Sequence, residues 1–264
     1  MHTLASTWKR LHDAGERALV AFITAGDPDL ADLPKILDAI VAGGADIIEI
    51  GLPFSDPIAD GPVIQASSQR ALDRGVKISA ILGALSEWQN PGVPIVLMGY
   101  YNSILRLGLA EFARLASEAG ARGTIISDLT PEESGDWVAA SRAHGLENIF
   151  LVAPTSTEAR IAEACKRASG FVYAVSRTGV TGSAQSASPE VESLVQSIRK
   201  HTDLPICVGF GISNPEHIQS VVKFADGAVV GSSIVKLIDE TWNNSQGADQ
   251  LTAYVRTLKS ATTV

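Results

Sequence analysis

The chain has 264 residues, 45% of them hydrophobic, and carries a formal net charge of −8 with a pI near 5.1. That length and apolar content can bury a full core without any linker-like break, so a single domain over residues 1–264 is expected. The acidic balance argues against a nucleic-acid surface, which needs clustered Lys and Arg, and leaves backbone N–H groups as the main means of holding a phosphate.

Two cysteines, Cys165 and Cys207, are too few for a disulfide framework, and Cys207 lies in an apolar run where a buried thiol is expected. The opening segment MHTLASTWKRLHDAGER is too polar for a signal peptide, and no stretch of about 18 apolar residues occurs. A soluble, cytoplasmic protein with no membrane contact is expected; a transit peptide for the plastid stroma, once removed, would leave no trace.

In chain order, an extra N-terminal helix is followed by eight short apolar runs rich in β-branched residues: LVAFITAG (19–26), ADIIEIG (45–51), PIVLMGY (94–100), GTIISD (123–128), NIFLVAP (148–154), GFVYAVS (170–176), LPICVGFG (204–211) and DGAVVGS (226–232). Continuous apolarity is what strands buried on both faces require, and parallel strands need helical crossovers between them. The segment SPEVESLVQSIRK specifies one crossover: Ser188 as N-cap, Pro189 at the first helical position, Glu190 near the positive dipole end and Lys200 near the other. Its Val191, Leu194, Val195 and Ile198 form one apolar stripe. The same logic predicts helices over 108–120, 156–170 and 213–224.

Eight parallel strands alternating with helices over about 250 residues match an α/β fold of the (β/α)8 TIM-barrel type. A doubly wound open sheet is the runner-up, but TAGDPDL after the first run lacks the G-x-G-x-x-G fingerprint that such a sheet is expected to carry.

Barrel chemistry lies at the C-terminal strand ends. Polar residues there are Asp27, Glu49, Asp56, Asp60, Tyr100, Tyr101, Asn102, Asp128, Thr155, Tyr173, Ser176, Arg177, Thr178, Thr181, Ser232 and Ser233. All eight lysines and all five histidines fall on predicted helices or turns, which argues against a strand-borne Schiff base, imidazole catalysis and a His-rich metal site. Carboxylate acid–base chemistry remains.

Glu49, inside IIEIG, is the sharpest candidate: burial raises a carboxyl's pKa towards the range useful at neutral pH, whereas the structural alternative is an ion pair with Arg177 or a hydrogen-bonded core carboxylate. Asp60 follows beyond the Pro53 and Pro57 corners and reads equally well as a catalytic group or a helix N-cap. Asp56, within SDP, reads as a turn residue. Asp46 has no evident role.

Glycines in RTGVTGS, GFGIS and GSS, after strands 6, 7 and 8, let backbone N–H groups approach an anion. Phe22, Ile64, Leu97, Ile125, Leu151 and Phe210, at or near strand ends, are candidates to line a slot for a flat ring.

The blocks FITAGDP, IEIGLPFSDPIADGPVIQ, VPIVLMGYYN, SRTGVTG, VGFGIS and VVGSSIVKLI, in this order over about residues 3–240, resemble the tryptophan synthase α-subunit family. The resemblance implies retro-aldol cleavage of indole-3-glycerol phosphate to indole and glyceraldehyde 3-phosphate. Glu49 matches the family's general acid/base, Asp60 the carboxylate facing the indole nitrogen, and Tyr173 a tyrosine near the reacting glycerol chain. Phe22, Ile64, Tyr100, Ile125, Leu151 and Phe210 match the indole pocket or its rim. Gly182, Gly211, Gly231 and Ser232 match phosphate contacts, and Thr181 matches a loop threonine that bonds Asp60 on closure.

The resemblance also implies a β-subunit partner in an α2β2 heterotetramer. Asp56 and Pro57 match part of that interface, indole passes through a tunnel, and pyridoxal phosphate belongs to the β subunit, with no cofactor in this chain. Thr130 with Pro131, and Ser103, depart from the family pattern away from the chemistry.

Alternatives are a stand-alone lyase that releases indole, a phosphate-binding barrel isomerase using Glu49 with Asp128, and an inactive barrel that activates a partner.

Overall fold

The computed structural model describes residues 3–175, 189–209, 211–243 and 246–263. Eight strands, β1 (Ala18–Thr24), β2 (Ile47–Gly51), β3 (Ile95–Gly99), β4 (Ala121–Ile126), β5 (Glu147–Val152), β6 (Val172–Val175), β7 (Ile206–Gly209) and β8 (Gly227–Val230), each pair in parallel with the next, and β8 returns to β1. This is the closed (β/α)8 barrel expected from the sequence, with a helix at Leu4–Ala14 preceding the first strand. Each predicted apolar run holds one strand, with β1 and β5 starting one residue before their runs and β4 two, where Ala121 pairs with Ile95 ahead of a register shift. The single helix expected over 108–120 is preceded by a second one at Tyr101–Leu107. Gly108, with φ of 89°, separates them in a conformation that other residues avoid.

Period-two alternation sorts the strand residues into two apolar layers. Val20, Phe22, Ile47, Met98, Ile125, Tyr173, Cys207 and Val229 meet inside the barrel. Leu19, Ala21, Ile23, Ile48, Ile50, Leu97, Val208 and Ala228 pack against the outer helices. Leu97 therefore faces away from the barrel interior, and the residue that turns inward at that strand end is its neighbour Met98.

The N-terminal helix plugs one end of the barrel. Thr3 caps it by accepting the Ser6 N–H, and Leu4, Trp8 and Leu11 then join the interior cluster, with Trp8 edge-on to Phe171 at 5.9 Å. The barrel end that holds the C-terminal strand ends is left for chemistry.

Asp46, just before β2, ties this closed end together. Its carboxylate accepts from Arg10 Nη2 at 2.7 Å, Lys259 Nζ at 2.8 Å and the Leu19 N–H at 3.0 Å, joining the N-terminal helix, β1 and the C-terminal helix Gly247–Ser260. On the opposite end, the helix Pro62–Asp73 is pinned to the turn after β1. Arg70 donates two hydrogen bonds to the buried Asp27, at 2.8 and 2.6 Å, and the Thr24 and Ser67 hydroxyls lie 2.6 Å apart. Because the Ser67 hydroxyl donates to the Ile64 carbonyl, Thr24 is the donor between the two hydroxyls.

Candidate active site

Glu49 is the third residue of β2, between Ile48 and Ile50, which face the helices; alternation therefore turns its carboxyl into the barrel. It is 1% exposed, and its Oε2 has no hydrogen-bond partner among the described residues. Burial raises its pKa, and the charge of Asp60 adds to this, together bringing it to about 8 from an ordinary 4.5. A carboxyl in that environment holds its proton at neutral pH. Arg177, the ion-pair partner considered from sequence, lies outside the described residues.

Asp60 lies at the end of the loop that follows β2. The N-cap position of the next helix belongs to Gly61, and the Asp60 carboxylate instead accepts the Tyr100 hydroxyl at 3.0 Å. Burial raises the Asp60 pKa, while the Tyr100 hydrogen bond pulls it down. Gln65 Nε2 donates to the Asp60 carbonyl at 2.9 Å and holds the chain on its other side.

A cavity of about 100 Å³ brings Glu49, Asp60, Phe22, Ile64 and Tyr173 together with Gly211, Gly231 and Ser232. Ser232 opens the helix Ser232–Thr241, whose N-terminal N–H groups and dipole favour an anion at the cavity edge. Tyr173 is 4% exposed and its ring crosses the inward face of Gly209, where a Cβ would meet the phenol oxygen at 2.2 Å. Likewise a Cβ on Gly51 would come within 2.6 Å of the Phe22 ring. The two strand glycines thus leave the space that the aromatic rings fill. Burial, reinforced by the nearby Glu49, holds the Tyr173 phenol well above its ordinary pKa and therefore protonated.

Not every candidate meets at this cavity. Ile125 is fully buried in the interior cluster beside Phe22, Met98 and Tyr173. Leu151 lines an adjoining hollow of about 300 Å³ with Ser127, Phe150 and Val175, and Met98 is the one described residue common to both spaces. Tyr100 lines neither and contacts Asp60 instead. Asp128 is exposed at the rim, where it accepts the Tyr101 N–H at 2.7 Å. Asp56 is exposed and accepts the Ser55 hydroxyl at 2.7 Å, and Pro57 is half-buried beside an Ile58 that is 84% exposed. Thr181, Gly182 and Phe210 lie outside the described residues.

Met98, Gly61, Ile212, Ser213 and Val229 line the cavity without having been singled out. Counting inward positions from Glu49 along β2 and across the paired β3 finds Met98, because Gly51 pairs with Met98 in register. No group of three or more His, Cys, Asp or Glu side chains that could hold a metal ion occurs among the described residues, and no helix there is long and apolar enough to cross a membrane.

A family model described as tryptophan synthase alpha chain matches residues 8–263. The tryptophan synthase alpha chain of Geobacter sulfurreducens is 47% identical over 262 residues, covering 99% of both chains. That of Polynucleobacter asymbioticus is 42% identical over 263 residues, again covering 99% of both. Among solved structures, tryptophan synthase subunit alpha from Legionella pneumophila superposes with a TM-score of 0.90 at 34% identity, covering 99% of this chain and 98% of that one. A chain of tryptophan synthase from M. tuberculosis in an aminoacrylate-bound form gives 0.88 at 33% identity, covering 99% and 100%.

Proposed function

The chain belongs to the tryptophan synthase alpha chain family, lyases that cleave indole-3-glycerol phosphate, and from that premise we propose how its residues divide the work. The observation that carries the assignment is a buried Glu49 without a partner on Oε2, sharing one cavity with Asp60 and a glycine-lined helix N-terminus. Such a cavity suits a substrate with a basic carbon at one end and a phosphate at the other.

Cleavage of the bond between indole C3 and the glycerol chain requires C3 to become tetrahedral first. Protonated Glu49 gives its proton to C3, which leaves a cation delocalised onto N1–H. The Asp60 carboxylate stabilises that cation. Glu49, now ionised, takes the proton of the adjacent glycerol hydroxyl; the carbon–carbon bond breaks as the aldehyde forms, and its electrons restore aromatic indole. Glu49 ends protonated, as it began. Its raised pKa suits the first step, because an ordinary carboxyl would have lost the proton at neutral pH.

The Tyr173 hydroxyl, protonated and beside Glu49, is assigned to the reacting glycerol chain. Gly211, Gly231 and Ser232, with Gly182, are assigned to the phosphate, and Thr181 to Asp60 on loop closure. Phe22, Ile64, Ile125, Leu151 and Phe210 are assigned to the ring, with Met98 added from its position between the two hollows. Leu151 lines the adjoining hollow, so its assignment to the ring requires the ring to reach past Met98.

A β subunit is assigned to the rim. Ile58, next to Asp56 and Pro57 on the loop after β2, is 84% exposed, and Leu105, on the helix Tyr101–Leu107 that follows β3, is 53% exposed; both are large apolar groups. Apolar groups exposed in this way are costly in water and suit a partner surface. Pyridoxal phosphate is assigned to that partner, in a cytoplasmic α2β2 assembly. Asp128 lines the adjoining hollow and not the cavity that holds Glu49, and it is exposed and spends its carboxylate on the Tyr101 N–H, which argues against the Glu49–Asp128 isomerase.

Incubation with indole-3-glycerol phosphate is expected to release indole and glyceraldehyde 3-phosphate in equal amounts. An isomerase would release no indole. Co-purification with a pyridoxal-phosphate subunit that raises turnover separates the partnered enzyme from a stand-alone lyase, whose rate no such subunit would change.

A further inference from the structure

Tyr100 follows β3 directly and is 3% exposed, yet it lines neither hollow at the barrel mouth. Its ring stacks on Phe54 with centroids 4.7 Å apart and planes 18° apart. Its hydroxyl accepts the Ala59 N–H at 3.0 Å and donates to Asp60 Oδ2 at 3.0 Å. A phenol has one proton, so once Asp60 receives it the remaining lone pairs are free for the Ala59 donor. One rigid side chain therefore grips the acidic loop on both sides of its Pro57 corner, at Phe54 before it and at Ala59 and Asp60 after it.

We propose that Tyr100 is a positioning residue for the cleavage reaction: it fixes the Asp60 carboxylate at the cavity and keeps it ionised while the substrate becomes cationic. This rests on the assignment of Asp60 to the indole nitrogen. The titratable groups that face Asp60 are Glu49 from β2, Tyr173 from β6 and Tyr100 itself, with Asp128 from the loop after β4 acting on Tyr100. Among these groups there is no cation. Burial drives Asp60 towards its neutral form, and the Tyr100 hydroxyl opposes it. A neutral Asp60 would offer the developing cation a dipole in place of a charge, so the hydroxyl's donation bears on rate more than on substrate binding.

The test compares wild type, Tyr100→Phe and Asp60→Asn, as complete chains cleaving indole-3-glycerol phosphate between pH 5.5 and 9. Phenylalanine keeps the ring and its stack on Phe54 and removes one hydroxyl. The expected result for Tyr100→Phe is a kcat about tenfold lower near neutral pH, with KM changed by less than about twofold. Its acid limb of kcat moves to higher pH, because the carboxylate has lost the donor that favoured ionisation. The alkaline limb, set by Glu49, stays in place. A purely structural role would lower the melting temperature or raise KM without moving the acid limb. An unchanged kcat and acid limb in Tyr100→Phe, beside an inactive Asp60→Asn, overturns the role of Tyr100 and leaves that of Asp60 standing; an active Asp60→Asn overturns both.

Discussion

Asp46 and Glu49 are three residues apart, one just before β2 and the other at its middle, both buried, and they meet opposite conditions. Asp46 is surrounded by donors: two cations and a backbone N–H share its two oxygens. Glu49 turns into the barrel interior, where Phe22, Ile64 and Met98 line the same cavity, with one oxygen unpartnered and a pKa of about 8. Burial alone therefore does not decide what a carboxylate is for. Desolvation disfavours charge at both sites; at Asp46 cations and an amide offset it, and at Glu49 the described residues do not. The satisfied carboxylate lies at the end closed by the N-terminal helix, and the unsatisfied one at the end where barrels keep their chemistry.

Exchanging each carboxyl for an amide tests this contrast most directly. Glu49→Gln is expected to lower the rate of indole release about 10³-fold, the scale of a lost general acid, with the fold intact by circular dichroism. A Gln variant with full turnover would falsify the assignment. Asp46→Asn should do the reverse. Arg10 loses its carboxylate partner and Lys259 keeps Glu16, so with Arg10 largely in solvent the cost is about 2 kcal/mol, which lowers the melting temperature by roughly 4–8 °C while kcat of the folded fraction stays at the wild-type level. A large loss of kcat in Asp46→Asn would erase the distinction between the two ends.

The pH dependence sharpens the comparison further. Glu49 must be protonated to begin the cycle, so activity is expected to fall as pH rises through about 8, giving the alkaline limb of a bell-shaped kcat/KM profile. Stability follows the same group. Its folded pKa lies above the ordinary 4.5, so the unfolded chain releases the proton first, and folding stability declines as pH climbs from about 4.5 to about 8. Glu49→Gln lacks that decline, and its melting temperature should gain on wild type over this interval. Equal pH slopes for the two proteins would mean that Glu49 is not held neutral. This is the smallest of the expected effects, a few degrees in differential scanning calorimetry, and it requires no substrate.

Much of this was legible in residue order. Apolar runs marked every strand, since strands covered on both faces have few polar positions to confuse the pattern. Glu49 stood out because an ionisable residue inside such a run has few innocent explanations. Asp60 did not separate from a helix cap by pattern, because both readings need an aspartate before ADGP becomes a helix; the hydrogen bond from Tyr100, forty residues later, distinguishes them. Leu97 reads from sequence as a candidate ring contact, and composition cannot tell which of two adjacent apolar residues turns inward. Register against Gly51 does so.

By itself the sequence determined the alternation of strands and helices, the barrel, the acidic loop and the glycines at the last strand ends, because each is written in local periodicity or in a residue's own backbone limits. Tertiary structure alone decided that Asp46 meets Arg10 and Lys259, that Tyr100 reaches Asp60, and that Gly51 and Gly209 make room for Phe22 and Tyr173. Those contacts join residues 29 to 213 positions apart, and nothing in a local pattern encodes which distant side chains the closing barrel will bring within 3 Å.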